Sequence, residues 1–369
     1  MSQVSFFTSE SVCAGHPDKI CDQISDAILD AVLERDPFGR VAVETLVTAN
    51  NVVLAGEVTT STMINFEDIA RKQIATMGYT NPEFGFSDTS NVTVLIHKQS
   101  PEIALGVDEA GAGDQGMMFG FACTDTAEYM PLPIMMSHTL ARKIDELRET
   151  KKVSYLRPDG KTQTTVRYED GKPVSIEKVV IAVPHDPAIK LSQVKKDIYE
   201  FVINPVLKEF GFIIPVSRVI VNGTGAWYIG GPASDTGVTG RKIVVDGYGG
   251  FARVGGGAFS GKDPTKVDRS AAYAARFLAK NIVANRFAER VEVGLAYCIG
   301  KAQPVMKSIN TFGTENRSMK EIESYVSQLL DCSVLGIIRG LDLRKPVYLD
   351  TASYGHFGRQ KFSWEQIVL

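Results

Sequence analysis

The sequence lacks several features that each define a class of protein. Its 369 residues contain no apolar run as long as a membrane span, and the first ten residues have neither the basic start nor the apolar core of a secretion signal. The net charge of −3 argues against a general nucleic-acid surface. We therefore expect a cytoplasmic protein with no nucleic acid and no membrane among its partners.

Paired cysteines and a serine-nucleophile motif are also missing. The five cysteines are scattered and form no Cys-x-x-Cys pair, which is typical of reduced thiols. Cys13, His16 and Cys21 lie close together, but their spacing is irregular and a fourth ligand is absent, so zinc is not favoured. No Gly-x-Ser-x-Gly sequence occurs, which disfavours a serine hydrolase of that type.

The most distinctive stretch that is present covers residues 255–268, where three consecutive glycines precede the start of a helix. Asp263 is expected to cap this helix and Pro264 to be its first residue. A glycine loop that leads into a helix, with Lys262 and Lys266 beside it, can hold phosphate. An ordinary turn with two solvated lysines is the alternative. The stretch also fits Gly-x4-Gly-Lys, but an aspartate replaces the Ser or Thr of a P-loop.

An earlier helix is predicted to begin at Pro17, with a buried stripe at every fourth residue. Carboxylates recur at the same spacing on another face, at Asp18, Asp22, Asp26 and Asp30. We expect three of these four to be solvated. Asp18 differs because it lies at the helix start beside His16, where a carboxylate is favoured and can hold a cation.

Two strands are predicted at 40–48 and 52–60, around a tight turn at Asn50-Asn51. In that register Glu44 lies directly opposite Glu57. Two facing carboxylates repel unless a cation or a ligand lies between them. A solvent-facing pair, or a register shifted by a loop of different length, is the alternative.

The remaining pattern alternates strands and amphipathic helices three times, without a strict repeat. Further helices are predicted at 66–77, 134–148, 191–210 and 320–330, and further strands at 91–97, 162–168, 177–183, 216–221, 243–246 and 291–299. The polar, glycine-bearing loop that follows residue 98 is a candidate lid. A chain of this length exceeds one core. We expect an α+β fold of three similar α/β layers, each a sheet packed by helices.

Basic residues and carboxylates recur together at turns that glycine or proline marks. The basic members are His16, Lys161, Arg241, Lys242, Lys262 and Lys266. The acidic members are Asp18, Asp114, Asp159, Asp235, Asp263 and Asp268. In a chain of slightly negative charge, this pattern indicates a polyphosphate held by basic side chains and by magnesium bound to carboxylates.

Five stretches resemble the S-adenosylmethionine synthetase (methionine adenosyltransferase) family of bacterial type. They are Gly15-His16-Pro17-Asp18-Lys19, Gly111-Ala112-Gly113-Asp114-Gln115-Gly116, Leu156-Arg157-Pro158-Asp159-Gly160-Lys161, Thr239-Gly240-Arg241-Lys242 and Gly256-Gly257-Ala258-Phe259-Ser260-Gly261-Lys262-Asp263. The likeness extends from about residue 7 to residue 359.

The resemblance implies that the methionine sulfur attacks C5′ of ATP to give S-adenosylmethionine, and that the tripolyphosphate is then hydrolysed to phosphate and pyrophosphate. It implies two Mg²⁺ ions per site and K⁺. It implies three domains about a pseudo-threefold axis, at 1–100, 110–228 and 229–369. It also implies active sites shared between the subunits of a homodimer, which pairs further into a homotetramer.

The resemblance further implies roles for particular residues. Those implied at the reacting phosphates are His16, Lys161, Arg241, Lys242 and Lys262. Those implied in substrate binding are Glu57, Gln99, Asp114, Asp159, Trp227, Asp235, Ala258, Lys262 and Lys266. Asp18 and Asp268 match magnesium ligands, and Glu44 matches a potassium ligand. Potassium and the methionine ammonium would then neutralise Glu44 and Glu57.

The chain departs from the family pattern at residues 222–227, where Asn-Gly-Thr-Gly-Ala-Trp replaces the common Asn-Pro-Thr-Gly-Arg-Phe. Trp227 can stack on adenine as phenylalanine does, but Ala226 lacks the guanidinium group. The loop from Gln99 to Asp114 is shorter than in many bacterial members. Two alternatives therefore stay open, namely a catalytically silent nucleotide-binding relative and a plain ATPase.

Overall fold

The computed structural model describes residues 3–98 and 111–369. The strands are β1 (Val4–Val12), β2 (Arg40–Thr48), β3 (Asn51–Thr59), β4 (Asn91–His97), β5 (Gly116–Cys123), β6 (Lys161–Glu169), β7 (Lys172–Ala182), β8 (Val219–Val221), β9 (Gly237–Val238), β10 (Arg290–Tyr297) and β11 (Met306–Asn310). The α-helices are α1 (Pro17–Leu33), α2 (Phe66–Thr76), α3 (Leu132–Glu149), α4 (Leu191–Asp197), α5 (Asn204–Glu209), α6 (Ile243–Asp246), α7 (Val267–Ala284), α8 (Met319–Leu329) and α9 (Val334–Gly340).

Within the described residues, the strands form three sheets, of order β1-β6-β7-β8, β4-β3-β2-β9 and β11-β10-β5. Each sheet joins distant parts of the chain, since β1 pairs with β6, β2 with β9 and β5 with β10. Strands therefore pair across the predicted domain limits of 1–100, 110–228 and 229–369, which stay a prediction.

One long helix covers each sheet. Helix α1 packs on β2, α3 packs on β1 and β6, and α7 packs on β5 and β10. The predicted stripe of α1 is buried at Ile20, Ile24, Ile28 and Val32. Burial of such a stripe against a sheet is the main source of stability for a helix of this length. Three sheets, each packed by helices, confirm the predicted α+β architecture.

The acidic row of α1 was predicted to be mostly solvated, and this prediction is wrong. Asp18, Asp22 and Asp26 are buried, and Asp30 is half-buried. Each carboxylate accepts a backbone N–H from a segment more than two hundred residues away. The donors are Val238, Gly240, Gly261 and the adjacent pair Tyr348 and Leu349, in the order of the row. The row therefore anchors loops to α1, because buried acceptors and donors must satisfy one another.

The predicted register of β2 and β3 is also wrong. Thr48 pairs with Asn51, so the turn lies one residue earlier than expected, at Ala49-Asn50, and Glu44 lies opposite Ala55 rather than Glu57. Ala55 and Glu57 are two residues apart, which places both carboxylates on the same face as diagonal neighbours. The face that they share is the outer one, away from α1.

Two further local predictions are wrong. Helix α7 begins at Val267, with Lys266 at its N-cap, and Asp263 instead accepts hydrogen bonds from the Val41 and Thr265 N–H groups. Residues 243–246 form the short helix α6 rather than a strand. The predicted helix at 191–210 is continuous, but a π-helical segment, Ile198–Ile203, separates α4 from α5.

Candidate functional site

The N-terminus of α1 gathers one set of charged residues, which we call the helix-start cluster. Its members are His16, Asp18, Lys161, Arg241 and Lys242. Asp18 accepts a hydrogen bond from Lys242 Nζ, and Arg241 Nη1 lies 3.8 Å from its Oδ1. Burial tends to raise the pKa of Asp18, but the hydrogen bonds from Lys242 and the Val238 N–H outweigh it and lower that pKa.

His16 is the N-cap of α1, and its ring has a defined hydrogen-bonding role. Nδ1 accepts the Asp18 N–H at 3.2 Å, so a neutral ring carries its proton on Nε2. Burial, together with the charge of Lys242, lowers the pKa of His16 to about 3. Nε2 is buried without a hydrogen-bond partner among the described residues. The ring is therefore a neutral donor that is ready for an acceptor on a ligand.

Two neighbouring loops carry three more predicted residues. Asp159 is buried and accepts the N–H groups of Gly160 and Gly231 at 2.7 and 2.8 Å. Its pKa is raised to about 6 by burial, which those two bonds oppose. Trp227 is half-buried, and its Nε1 donates to the Ile229 carbonyl, while Asp235 is exposed. Asp159 lies two residues before Lys161, and its bond to Gly231 ties its loop to the segment that carries Trp227 and Asp235.

A second set lies along the glycine stretch, and we call it the strand-edge cluster. Its members are Glu44, Ala258, Lys262, Lys266 and Asp268. Lys262 Nζ donates to Asp268 at 2.8 Å, and Lys266 is paired with Asp263. A Cβ at Gly257 would lie 2.0 Å from the Asp268 carboxyl carbon, and one at Gly116 would lie 3.3 Å from its Oδ1. Only glycine allows the backbone so close to this carboxylate.

Three further predicted residues lie either at the margin of the strand-edge cluster or outside the described residues. Asp114 is exposed, two residues before Gly116. Glu57 lies on the outer face of the sheet, with its Oε1 3.2 Å from His97 Nε2. Gln99, and most of the predicted lid, fall outside the described residues.

The two segments that carry the lysines of the two clusters lie along the same edge of β2. Residues 237–239 bond along β2 at 45–47, and residues 261–263 bond along it at 41–43. Lys262 pairs with Ala42, so its side chain points to the same outer face as Glu44. The helix-start cluster instead lies at the end of α1, which covers the inner face. The two clusters therefore flank one strand edge on different sides.

The donor chemistry suits a hard divalent cation bound together with a polyphosphate. Among residues 3–98 and 111–369, no three His, Cys, Asp or Glu side chains are grouped to hold a metal. Magnesium commonly takes one or two carboxylates and receives its other ligands from phosphates and water. Asp18 and Asp268 can each supply a carboxylate, and each is paired with a lysine that phosphate can attract away.

Sequence reasoning missed the residues that hold these clusters in place. Lys19 is buried between Asp22 and Asp246, and Arg269 forms a buried bidentate pair with Asp26. A signal was present, since the acidic row repeats too regularly for a random surface. Arg269, the buried partner of Asp26, lies far away in sequence, however, and no local pattern reveals it.

The fold and these clusters are those expected of a class, the α+β proteins that bind a polyphosphate. Comparison with known proteins identifies the family within this class. Family models described as the N-terminal, central and C-terminal domains of S-adenosylmethionine synthetase match residues 4–101, 109–227 and 229–366. The chain is 51% identical over 378 residues to the S-adenosylmethionine synthase of Clostridium tetani, covering 98% of this chain and 96% of that one. It is 50% identical over 375 residues to the S-adenosylmethionine synthase of Treponema denticola, covering 99% and 96%. The chain belongs to the S-adenosylmethionine synthetase family.

Proposed function

We propose that the chain is a methionine adenosyltransferase, which joins ATP and methionine into S-adenosylmethionine and then hydrolyses the tripolyphosphate to phosphate and pyrophosphate. The observation that carries the proposal is the helix-start cluster, where the buried His16 Nε2 has no partner among the described residues and lies beside Asp18 and its partner Lys242. A triphosphate needs several cationic or donor groups at fixed positions, and this cluster supplies them. Family membership supports the same reaction.

The reaction breaks the bond between C5′ and the triphosphate, so negative charge grows on the leaving oxygen. His16 donates from Nε2–H to the triphosphate without adding a charge, because its ring is neutral. Lys161, Arg241, Lys242 and Lys262 bind the phosphate oxygens. Placed donors of this kind are each worth about 3 kcal/mol in the transition state. Lys266 supports the same chain of phosphates.

Asp18 and Asp268 would hold two Mg²⁺ ions, and Glu44 would hold K⁺. When bound, these ions neutralise the phosphates and stabilise the charge of the leaving group. Asp18 is paired with Lys242 and Asp268 with Lys262, so a metal ion held by either carboxylate would leave the ammonium group of its lysine free to bind phosphate.

The other predicted residues bind the organic parts of the substrates. Glu57, Gln99 and Asp235 bind methionine, and Asp114 and Asp159 lie at the adenosine. Trp227 offers a ring for adenine to stack on, and Ala258 lines the phosphates. The half-buried Trp227 ring supports this role, because its Nε1 is already satisfied and one part of its surface stays accessible.

The outer face of the β2–β3–β4 sheet supports a homodimer with shared sites. This face carries Leu95 at 59% exposure beside Glu44 and Glu57. The strand-edge cluster shares that face, whereas the helix-start cluster lies on the other side. A second copy that covers the face brings its own helix-start cluster to these residues and completes the site. Two dimers then form a homotetramer. Mixing Lys242→Met and Lys262→Met subunits tests sharing, because mixed dimers regain one intact site.

All five cysteines are free, which supports a reducing compartment such as the cytoplasm. In the part of the chain that is described, no helix has both the length and the apolar character to cross a bilayer.

The test is incubation of the purified chain with ATP, methionine, Mg²⁺ and K⁺. We expect S-adenosylmethionine, phosphate and pyrophosphate in equal amounts, and no phosphate release without methionine. ATP binding without product would instead identify a silent relative. Phosphate release that ignores methionine would identify an ATPase.

A further inference from the structure

We propose that Tyr79 is a positioning residue of the helix-start cluster, whose hydroxyl group joins the loop that carries His16 to the loop that carries Lys161. Both loops belong to one chain, so the proposal holds whichever subunit supplies the strand-edge cluster. It rests on the proposed function only for the identity of the ligand as a triphosphate.

Tyr79 reaches the cluster from a different element, because it lies three residues after α2 ends at Thr76. Its side chain is buried. The hydroxyl donates to two backbone carbonyls, that of Gly15 at 2.6 Å and that of Pro158 at 2.7 Å. A hydroxyl has one proton, so the two carbonyl oxygens share it and must both stay within reach of the same atom. The hydroxyl therefore ties one loop to the other.

The two carbonyls belong to residues beside the functional side chains. Gly15 directly precedes His16, the N-cap of α1, and Lys161 follows three residues after Pro158. The loops also pack directly on one another, since a Cβ built on Gly15 would lie 2.9 Å from the Pro158 Cβ. Because the loops already touch, the hydroxyl bridge has to prevent only their separation.

A third loop packs on the same hydroxyl. Gly231 has a φ of +71°, and a Cβ built on it would lie 2.1 Å from the Tyr79 oxygen. Its N–H donates to Asp159 at 2.8 Å, and its loop continues to Asp235 in one direction and to Trp227 in the other. Burial, together with the charge of Asp159, raises the pKa of Tyr79 well above its usual value. The hydroxyl therefore keeps the proton that it donates.

Loss of the hydroxyl would let the two loops separate, because the phenyl ring that remains has no donor for either carbonyl. The buried Nε2 of His16, which has no partner among the described residues, would then lose its position relative to Lys161. A displacement of about 1 Å at a reacting group can cost about a hundredfold in rate. We therefore expect the loss to appear in triphosphate binding and turnover, beyond any loss of stability.

The test compares Tyr79→Phe with Tyr297→Phe. Tyr297 is also buried, and its hydroxyl also donates to a backbone carbonyl, that of Cys332 at 2.6 Å, but neither of these residues belongs to a cluster. Each substitution removes one oxygen atom and keeps the ring. The measurements are the thermal midpoint, calorimetric binding of inorganic tripolyphosphate with Mg²⁺, and kcat for S-adenosylmethionine formation.

We expect Tyr79→Phe to weaken tripolyphosphate binding and to lower kcat at least about tenfold each. Tyr297→Phe should keep both within about twofold at a similar loss in thermal midpoint. Equal losses in the two variants, or unchanged tripolyphosphate binding in Tyr79→Phe, would overturn the proposal. If the wild-type chain binds tripolyphosphate but makes no S-adenosylmethionine, the proposed function fails, and the binding comparison still judges Tyr79.

A double-variant comparison separates positioning from a purely structural role. Tyr79→Phe is repeated in a His16→Ala chain, which lacks one of the side chains that the hydroxyl positions. If Tyr79 acts through His16, its substitution should weaken tripolyphosphate binding at least about threefold less in this chain than in the wild type. An equal loss in both backgrounds would show that the hydroxyl only stabilises the fold, and it would contradict the proposal.

A variant that keeps the hydroxyl covers the case in which Tyr79→Phe does not fold. Gly15→Ala adds a methyl group 2.9 Å from the Pro158 Cβ and so pushes the same two loops apart. It should therefore also weaken tripolyphosphate binding. Normal affinity in Gly15→Ala would show that the spacing of the two loops does not matter to the ligand.

Discussion

The buried ion pair between Asp26 and Arg269 lends itself to a stability test. The carboxylate accepts Arg269 Nη1 and Nη2 at 2.6 and 2.8 Å, and its Oδ1 also accepts the Gly261 N–H. Both side chains are fully buried. Asp26→Asn keeps an oxygen for Gly261 but leaves the guanidinium without a counter-charge. Breaking a buried pair from one side costs about 3–5 kcal/mol, so we expect the free energy of unfolding to fall by that amount.

Adding Arg269→Met to Asp26→Asn removes the orphaned charge and fills most of its volume. Replacing both members of a buried pair is often nearly neutral, so the double variant should recover at least about 2 kcal/mol of the loss. The assay is urea unfolding, followed by circular dichroism at one fixed protomer concentration, because subunit association also contributes to stability.

Asp350→Asn is the matched control, since Asp350 forms an exposed pair with Lys361. It should change the free energy of unfolding by less than about 0.5 kcal/mol. A loss below about 1 kcal/mol in Asp26→Asn would refute the reasoning, and so would a double variant that recovers none of that loss.

Two more predictions concern pH and the glycine stretch. Burial, together with the charge of Arg142, lowers the pKa of His138 well below its usual value. The unfolded chain therefore binds a proton at this ring in a pH range where the folded chain does not. Wild-type stability should therefore fall as pH drops below about 6.5, and relative to His138→Gln it should lose about 2 kcal/mol between pH 7 and pH 5 in urea titrations. An unchanged difference would show that the ring titrates normally. Gly261 has a φ of +80°, and a Cβ at this position would lie 2.0 Å from the Val43 carbonyl oxygen. Gly313 has a similar φ of +73°, but a Cβ there would meet no atom within 4 Å. Gly261→Ala should lose at least about 2 kcal/mol more than Gly313→Ala in the same titrations, and equal losses would leave only backbone strain as the cause.

The sequence was sufficient for the elements whose signals are local. The start of α1 at Pro17 and its apolar stripe were predicted correctly, and β4 was predicted to the residue at 91–97. The register of β2 and β3 was missed because moving the turn by one residue changes the partner of every residue, and the sequence Ala49-Asn50-Asn51 does not fix which two residues form the turn. The start of α7 was missed because Asp263 was read as a cap, whereas β2 uses its carboxylate.

The residues of the candidate site also fall into those with a local sequence signal and those without one. The residues proposed to bind phosphate and metal lie in short motifs, so the sequence alone could nominate them. The buried anchors could not be found, because Asp22 and Asp26 are defined by partners more than two hundred residues away. A carboxylate on a helix looks solvated until its distant donors are known.

The central claim is that the two clusters together hold the triphosphate of ATP for transfer to methionine. The direct measurement is the rate of S-adenosylmethionine formation in Lys242→Met and Lys262→Met, one from each cluster, with Lys361→Met as the exposed control. Each cluster variant should keep its fold and lose at least about a hundredfold in kcat, while the control stays within about twofold. If either cluster variant turns over at nearly the wild-type rate, its cluster does not hold the triphosphate and the account is contradicted.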